Sequence, residues 1–281
     1  MASAMLMRGF FTVYRNHKPA RFGTLLALAG ILVLTPDTLV IRLSGLERWT
    51  LMGWRGLLMG MMSYAIWWVL FTRQPWRDLR TIVTWQGFFV IATFSLNSVT
   101  FTLGIVETSA SVVLTAVATM PVFAAILSAI LLQERQGWLG WSAIFAAMVG
   151  VGIVVADGSS ASGQPDGSVM LGALYGMLTA IGLAVTFTFA RKYPWLAILP
   201  AAALGAFISG LIGLSLAEQE KIFDAPLWTV LTMGLILLPV SFTCLNLAPR
   251  YTSAAVVSLV MLLEMVIGPF WVWIGVGDAP Q

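Results

Sequence analysis

Cysteine and histidine are nearly absent from this chain of 281 residues. The single cysteine, Cys244, excludes a disulfide within the chain and a cysteine-based metal site. The single histidine, His17, lies in the basic N-terminal tail, which excludes a buried histidine proton relay. Charged residues make up only 10% of the chain and no long polar segment occurs, so we expect no soluble domain.

The motifs of common hydrolases are also missing. The chain has no GxxxxGK[ST] loop for ATP, no HExxH zinc motif and no GxSxG serine motif. The run Gly275–Asp278 matches the GxGD signature of intramembrane aspartyl proteases, but that chemistry needs a second aspartate after a tyrosine, and no Tyr-Asp pair exists. We therefore predict that the protein is not an enzyme and has no catalytic residue, cofactor, bound metal or nucleic-acid partner.

What the chain has in abundance is apolar sequence. Hydrophobic residues make up 59% of it and the mean hydropathy is +0.92, more than a soluble protein of this length can bury. A helix that crosses a bilayer needs ~20 consecutive apolar residues. The pattern predicts an all-α, polytopic integral membrane protein with nine crossing segments, at residues 21–42, 50–72, 81–104, 108–133, 137–156, 169–192, 195–216, 226–247 and 251–275.

Composition also predicts the organisation and the orientation of the chain. Residues 157–168 form the only linker rich in glycine, serine and proline, and they separate two halves, 21–156 and 169–281, that follow a tail at 1–20. With the N-terminus in the cytoplasm, eleven Lys and Arg residues lie inside and four lie outside. We therefore expect a multi-pass protein, favoured as a monomer, with a cytoplasmic N-terminus and an outer linker.

One short phrase occurs in both halves. Residues 108–113 read TSASVV and residues 252–257 read TSAAVV, 144 positions later. The fourth segment runs inward and the ninth runs outward, so the two copies are antiparallel, which is typical of inverted-repeat transporters. A second half that fully repeats the first would bring the total to ten helices, but the sequence ends soon after Asp278. We therefore expect a truncated chain rather than a nine-helix protein.

The two repeated phrases occur in one ordered pattern with Arg55, Pro121, Glu134-Arg135 and Glu264, which together extend over most of the chain. In this pattern the chain resembles the EamA-type drug/metabolite transporter family, and most of all its YddG-type branch of aromatic amino acid exporters. The resemblance implies two inverted five-helix repeats in a bacterial inner membrane, and export of a small organic solute through a central cavity.

The chain departs from the family pattern in its ninth segment. The family often places a proline directly after the glutamate, whereas here Met265 follows Glu264 and the proline is Pro269. Any helix break is therefore expected about one turn later, at Pro269. Pro121 is the corresponding weak point of the fourth segment.

Two opposite charges lie at equal depth in consecutive segments. Asp37 and Arg55 are each five residues from the outer end of their segment, which is about 7–8 Å below the boundary. We expect an ion pair, which either fixes the packing of two helices or forms an outer gate that contacts a zwitterionic solute. Pro36 interrupts the helical hydrogen bonds beside Asp37 and favours a moving or solvated element.

Glu264 is the deepest acidic residue, thirteen residues into the ninth segment. It is either a partner for a substrate ammonium group, a proton-coupling group or a neutral carboxyl bonded to a neighbouring helix.

The third segment is the most polar one. Phe94, Asn97 and Phe101 share one helix face, where an amide between two rings suits an amphipathic solute. The alternative is an interhelical hydrogen bond from Asn97, worth ~0.6–2 kcal/mol. Thr243 and Asn246 lie in a comparable polar run of the eighth segment, and we include both in the predicted substrate site.

These observations predict a secondary transporter that exports small amphipathic metabolites by alternating access, above all aromatic and other bulky apolar amino acids. The alternative is a multidrug exporter of aromatic cations with Glu264 as the counter-charge. A channel is less well supported, because the chain has no ring of like charges and no pore-loop sequence, and a membrane scaffold is a further alternative.

Overall fold

The computed structural model describes residues 19–107, 110–134, 137–138, 140–146, 148–149, 169–218, 220, 222 and 226–276, and within these ranges every regular element is a helix. The helices are α1 Pro19–Leu34, α2 Asp37–Ser44, α3 Arg48–Ile66, α4 Pro75–Ile82, α5 Trp85–Glu107, α6 Ala110–Val117, α7 Met120–Leu127, α8 Val169–Lys192, α9 Ile198–Leu216, α10 Leu227–Leu231, α11 Leu238–Leu247 and α12 Ala254–Val276.

The prediction of an all-α polytopic membrane protein is confirmed. Seven helical stretches of the described ranges are long and apolar enough to cross a membrane. The second predicted segment is the continuous helix α3, which ends in a π-helix at Trp67–Phe71 but is not among the seven. Nearly half of the fifth predicted segment and the whole linker lie outside the described residues. The seven stretches are Pro19–Ser44, Trp85–Ile105, Val112–Leu132, Met170–Lys192, Ile198–Leu216, Leu227–Arg250 and Ala254–Gly275.

Two segments are interrupted near a proline. The first segment turns at Thr35-Pro36, between α1 and α2, and Trp271 of α12 donates an indole hydrogen bond of 3.0 Å to the Thr35 hydroxyl. The fourth segment turns at Ala118-Thr119, just before Pro121. A proline has no N–H to continue the helical ladder, so a turn costs little more at these positions.

At Pro269 the expected break does not occur, because α12 is continuous from Ala254 to Val276. A proline removes one helical hydrogen bond, and transmembrane helices tolerate this loss where local adjustments satisfy the freed carbonyl.

Contacts between the two halves come in matching pairs. Helix α12 packs on α1 and α2, while α8 packs on α6 and α7. Likewise α5 packs on α8 and α9, and α11 packs on α1 and α3. The most extensive contact joins α3 to α9, and α7 also meets α12. Among the first four segments, each thus has neighbours that match those of its counterpart in the second half.

Helices α3 and α9 touch through glycines. A Cβ atom added at Gly56 would lie 2.6 Å from the Cα of Gly210, and one added at Gly213 would lie 2.8 Å from the Cα of Gly53. Small residues let helix backbones approach this closely in lipid. The same spacing, two glycines three positions apart, therefore occurs on both sides of the crossing.

Candidate functional site

A cavity of about 60 Å³ lies where helices of both halves converge. Its lining comes from the α1–α2 turn region, α3, α5 and α6 of the first half and from α8, α11 and α12 of the second. Six of the residues predicted from sequence line it together, namely Asp37, Arg55, Phe94, Asn97, Phe101 and Glu264.

Asp37 and Arg55 form a buried ion pair. Asp37 is the first residue of α2, directly after the Pro36 turn, and an acid is favourable at a helix N-terminus. The Arg55 Nη1 atom of α3 lies 2.9 Å from Asp37 Oδ1 and 2.8 Å from Oδ2. The exposed fraction is 2% for Asp37 and 9% for Arg55, so the pair is shielded from solvent.

The Arg55 guanidinium has two further neighbours. Its Nη1 atom lies 3.1 Å from the thioether sulfur of Met233, and its Cζ atom lies 6.0 Å from the centroid of the Phe101 ring. A cation over an aromatic face is attracted to the ring quadrupole. Both the carboxylate and the ring therefore hold the charged end of Arg55 at the cavity wall.

Glu264 of α12 faces the same cavity and is 9% exposed. Within the described ranges, no group donates a hydrogen bond to its carboxyl. The cavity wall thus holds two carboxyl groups and one guanidinium, and Arg55 is already committed to Asp37. Glu264 is the acidic group left available for a solute, a proton or a cation.

Asn97 of α5 is a second available polar group. Its side chain is buried, yet the amide Oδ1 has no hydrogen-bond partner among the described residues. Gly182 of α8 lies opposite, where an added Cβ would sit 3.4 Å from the Asn97 Cβ atom. An unpartnered buried amide oxygen costs roughly 1–3 kcal/mol, which water or a bound solute would recover.

Aromatic rings form the apolar wall of the cavity. Phe94 of α5 packs edge-to-face on Phe242 of α11, with centroids 5.6 Å apart and ring planes at 79°. Phe101 lies two turns from Phe94 on the same helix and also lines the cavity. Three rings beside Asn97 and Glu264 give an amphipathic lining.

Thr243 and Asn246 were predicted in the substrate site, but neither lines the cavity. Both are buried elsewhere in α11, and Phe242 faces the cavity in their place. A π-helix at Thr232–Leu237, with hydrogen bonds between residues five apart instead of four, precedes α11 and interrupts the regular α-helical phase of this segment. Polarity in the sequence therefore does not reveal which side of α11 faces inward.

Phe242 and Thr179 line the cavity but were not predicted from the sequence. Thr179 of α8 lines the cavity, and its hydroxyl is 2.9 Å from that of Thr100. Phe242 and Leu238 are four residues apart, so they share a helix face, and both line the cavity. This spacing is the sequence feature that could have identified Phe242. No comparable signal distinguishes Thr179 from the other threonines of α8, Thr186 and Thr188.

A second ion pair joins the two halves at the opposite end of the bundle. Arg191, near the end of α8, contacts Glu134 with Nη2 2.9 Å from Oε1 and donates to the Pro249 carbonyl at 3.2 Å. Arg135, which together with Glu134 carries part of the family resemblance, lies outside the described residues. This end of the bundle is tied together by charge, in addition to packing.

The volume of the cavity limits what this conformation can hold. Ligand sites in proteins enclose ~300–1,000 Å³, whereas a single water needs only ~10–15 Å³ measured with a water-sized probe. A cavity of about 60 Å³ therefore accommodates a few waters but no amino acid. A solute of that size would fit only after the lining residues move apart.

Comparisons with known proteins agree with this architecture. No curated protein matches the chain. A solved structure, titled only as the crystal structure of a protein, superposes with a TM-score of 0.71 at 14% identity, covering 92% of this chain and 91% of its own. That likeness concerns the fold alone. The EamA-like transporter family matches residues 21–156, just under half of the chain, and this match supports a membrane transporter of small molecules.

Proposed function

We propose that the whole chain is an EamA-type secondary transporter that exports small amphipathic metabolites by alternating access. Aromatic and other bulky apolar amino acids are the proposed solutes. The observation that carries this proposal is the cavity between the two halves, where aromatic rings stand beside an unpartnered amide and an unpaired carboxyl.

The chemistry of the lining suits an amino acid at both ends. The Glu264 carboxyl can accept hydrogen bonds from a substrate ammonium group. The Asn97 Nδ2 group can donate to a substrate carboxylate, while its unpartnered Oδ1 can accept from water or from the ammonium group. The Phe94 and Phe101 rings can stack on an aromatic side chain. Alternating access would come from rocking of the halves about the glycine crossing of α3 and α9, which the matched contacts of the two halves support.

The orientation follows from the distribution of basic residues. With the N-terminus in the cytoplasm, the Asp37–Arg55 pair lies toward the outside and the Glu134–Arg191 pair lies toward the cytoplasm. The protein would then reside in the inner membrane of a bacterium, as the family resemblance implies.

Counterflow in liposomes tests the proposal. Purified protein is reconstituted with an excess of unlabelled phenylalanine inside, and uptake of labelled phenylalanine or tryptophan is followed. We expect transient accumulation above that of empty liposomes, and the proposal fails if none is seen. Glu264→Gln should raise the KM for phenylalanine, whereas Glu47→Gln, an equivalent change outside the cavity, should leave it unchanged.

An exporter of aromatic cations is the second candidate, because the cavity holds more carboxyl groups than guanidinium groups. Phenylalaninamide carries the ammonium group and the ring of phenylalanine but no carboxylate. If amino acids are the solutes, phenylalanine should compete better than its amide, and Asn97→Ala should weaken binding of phenylalanine more than binding of the amide. Stronger competition by the amide would favour the cation exporter.

A further inference from the structure

A surface groove outside the central cavity has features of a lipid site. It encloses about 350 Å³ between α3, α4 and α9, and its lining is almost entirely apolar. The exposed side chains along it include Met61 at 59%, Leu204 at 41% and Tyr64 at 38%. The volume falls within the ~300–1,000 Å³ typical of ligand sites, and it exceeds that of the central cavity.

The groove extends into the membrane from one interface. Its lining on α9 runs from Pro200, near the start of that helix, to Phe207. Seven residues of α-helix span about 10 Å, which is less than the ~15 Å thickness of one hydrocarbon leaflet. The groove therefore has the depth that an acyl chain of a single leaflet reaches.

Helix α4 carries positive charge next to residues that line the groove. It is strongly amphipathic, and two of its apolar residues, Leu79 and Ile82, line the groove. Arg77 and Arg80 of α4, with Arg73 just before it, are exposed. In the part of the chain that the structure describes, none of these three guanidinium groups has an ion-pair or hydrogen-bond partner.

Aromatic residues flank the same position. Trp76 of α4 is 77% exposed, and Tyr64 of the groove stacks beside Trp68, with centroids 6.2 Å apart. Tryptophan and tyrosine are favoured at the headgroup level of a bilayer. Helix α4 therefore lies at the membrane surface, with arginines beside the headgroups and its apolar residues toward the groove.

We propose that this groove binds one anionic phospholipid, with an acyl chain between α3 and α9 and the phosphate on the arginines of α4. Free cations at the end of an apolar slot complement a lipid of this charge better than a neutral one. The inference goes beyond transport, and it uses the proposed orientation only to identify the cytoplasmic leaflet as the source of the lipid.

Native mass spectrometry of the detergent-solubilised protein tests the proposal. Phosphatidylglycerol and phosphatidylcholine with identical acyl chains are titrated, and the occupancy of the first bound lipid is compared. We expect phosphatidylglycerol to bind more tightly, and removal of one arginine to weaken its binding about fivefold. Equal binding of the two lipids would overturn the proposal.

Variants separate the headgroup contact from the acyl groove. Changing Arg73, Arg77 and Arg80 together to Gln should abolish the preference for phosphatidylglycerol, while the same three changes to Lys should retain it. Leu204→Trp fills the groove and should reduce binding of both lipids. Leu211→Trp, a change at a similarly exposed position two turns further along α9, should not.

Several results would count against the lipid site. They are an unchanged lipid preference in the Gln variant, equal behaviour of the two Trp variants, and a dimer whose formation blocks the groove regardless of lipid. The two Trp variants remain informative if the Gln variant does not fold. Because binding is measured without transport, failure here leaves the proposed export function untouched.

Discussion

Replacement of the buried ion pair should reveal whether it holds the fold or moves during transport. Removing one partner of a buried pair leaves an uncompensated charge and costs about 3–5 kcal/mol, whereas replacing both with apolar residues is often neutral or stabilising. We therefore consider Asp37→Leu, Arg55→Met and the double variant. At roughly 2–4 °C per kcal/mol, each single change should lower the unfolding midpoint by roughly 6–20 °C.

The two single variants should not be equal. Without Asp37, the Arg55 guanidinium still shares its cavity with the Glu264 carboxyl. Without Arg55, two carboxyl groups face one cavity and the Phe101 ring loses its cation. Arg55→Met should therefore be the more destabilising change, and the double variant should recover most of the loss.

Intrinsic fluorescence during heating provides the measurement, since the chain has twelve tryptophans. The double-mutant cycle yields the coupling energy of the pair. Small and strictly additive shifts would refute the argument, because they would mean that the two groups do not depend on each other. Counterflow of the double variant then separates the two roles: restored transport means a packing role, and a stable but inactive protein means a gate.

The remaining predictions concern the helix crossing and the orientation. Gly56→Ala should destabilise the protein in the same thermal assay, because its methyl group meets the Gly210 backbone, whereas Gly268→Ala, whose methyl group meets only a hydroxyl at 3.5 Å, should be neutral or stabilising. Equal effects would argue against a close crossing. In a Cys244→Ser background, a membrane-impermeant maleimide applied to cells should label Leu43→Cys but not Gln74→Cys. The reverse pattern would place the N-terminus outside.

Depth in the membrane could be predicted from sequence, but the direction of a side chain could not. The Asp37 and Arg55 side chains were expected at one level because the rise per residue is fixed, and the structure brings them within 2.8 Å. The rotation of a helix about its own axis could not be predicted in this way. Lipid and protein interior are both apolar, so a membrane helix has no clear polar face that shows which side points inward. Phe242 rather than Thr243 lines the cavity, although Thr243 is the polar residue of the two.

The positions of the helix breaks could likewise be predicted only in part from the sequence. Pro36 and Pro121 each lie beside a turn, whereas α12 continues through Pro269. A proline removes a donor in all three segments, so the local cost is the same. What differs is the tertiary surroundings, such as the hydrogen bond from Trp271 to Thr35, and no local pattern specifies a contact between residues so far apart in the chain.

The glycine crossing also limits how the two halves can diverge. A side chain at Gly56, Gly210 or Gly213 would meet the facing backbone, and one at Gly53 would meet Leu214, so each side of the crossing sets the size allowed on the other. A mutation that enlarges one side is tolerated only if the facing backbone shifts, and that shift would separate α3 from α9 along their whole contact. At these four positions the two halves of the gene are therefore not free to change independently, however far the rest of their sequences drift apart.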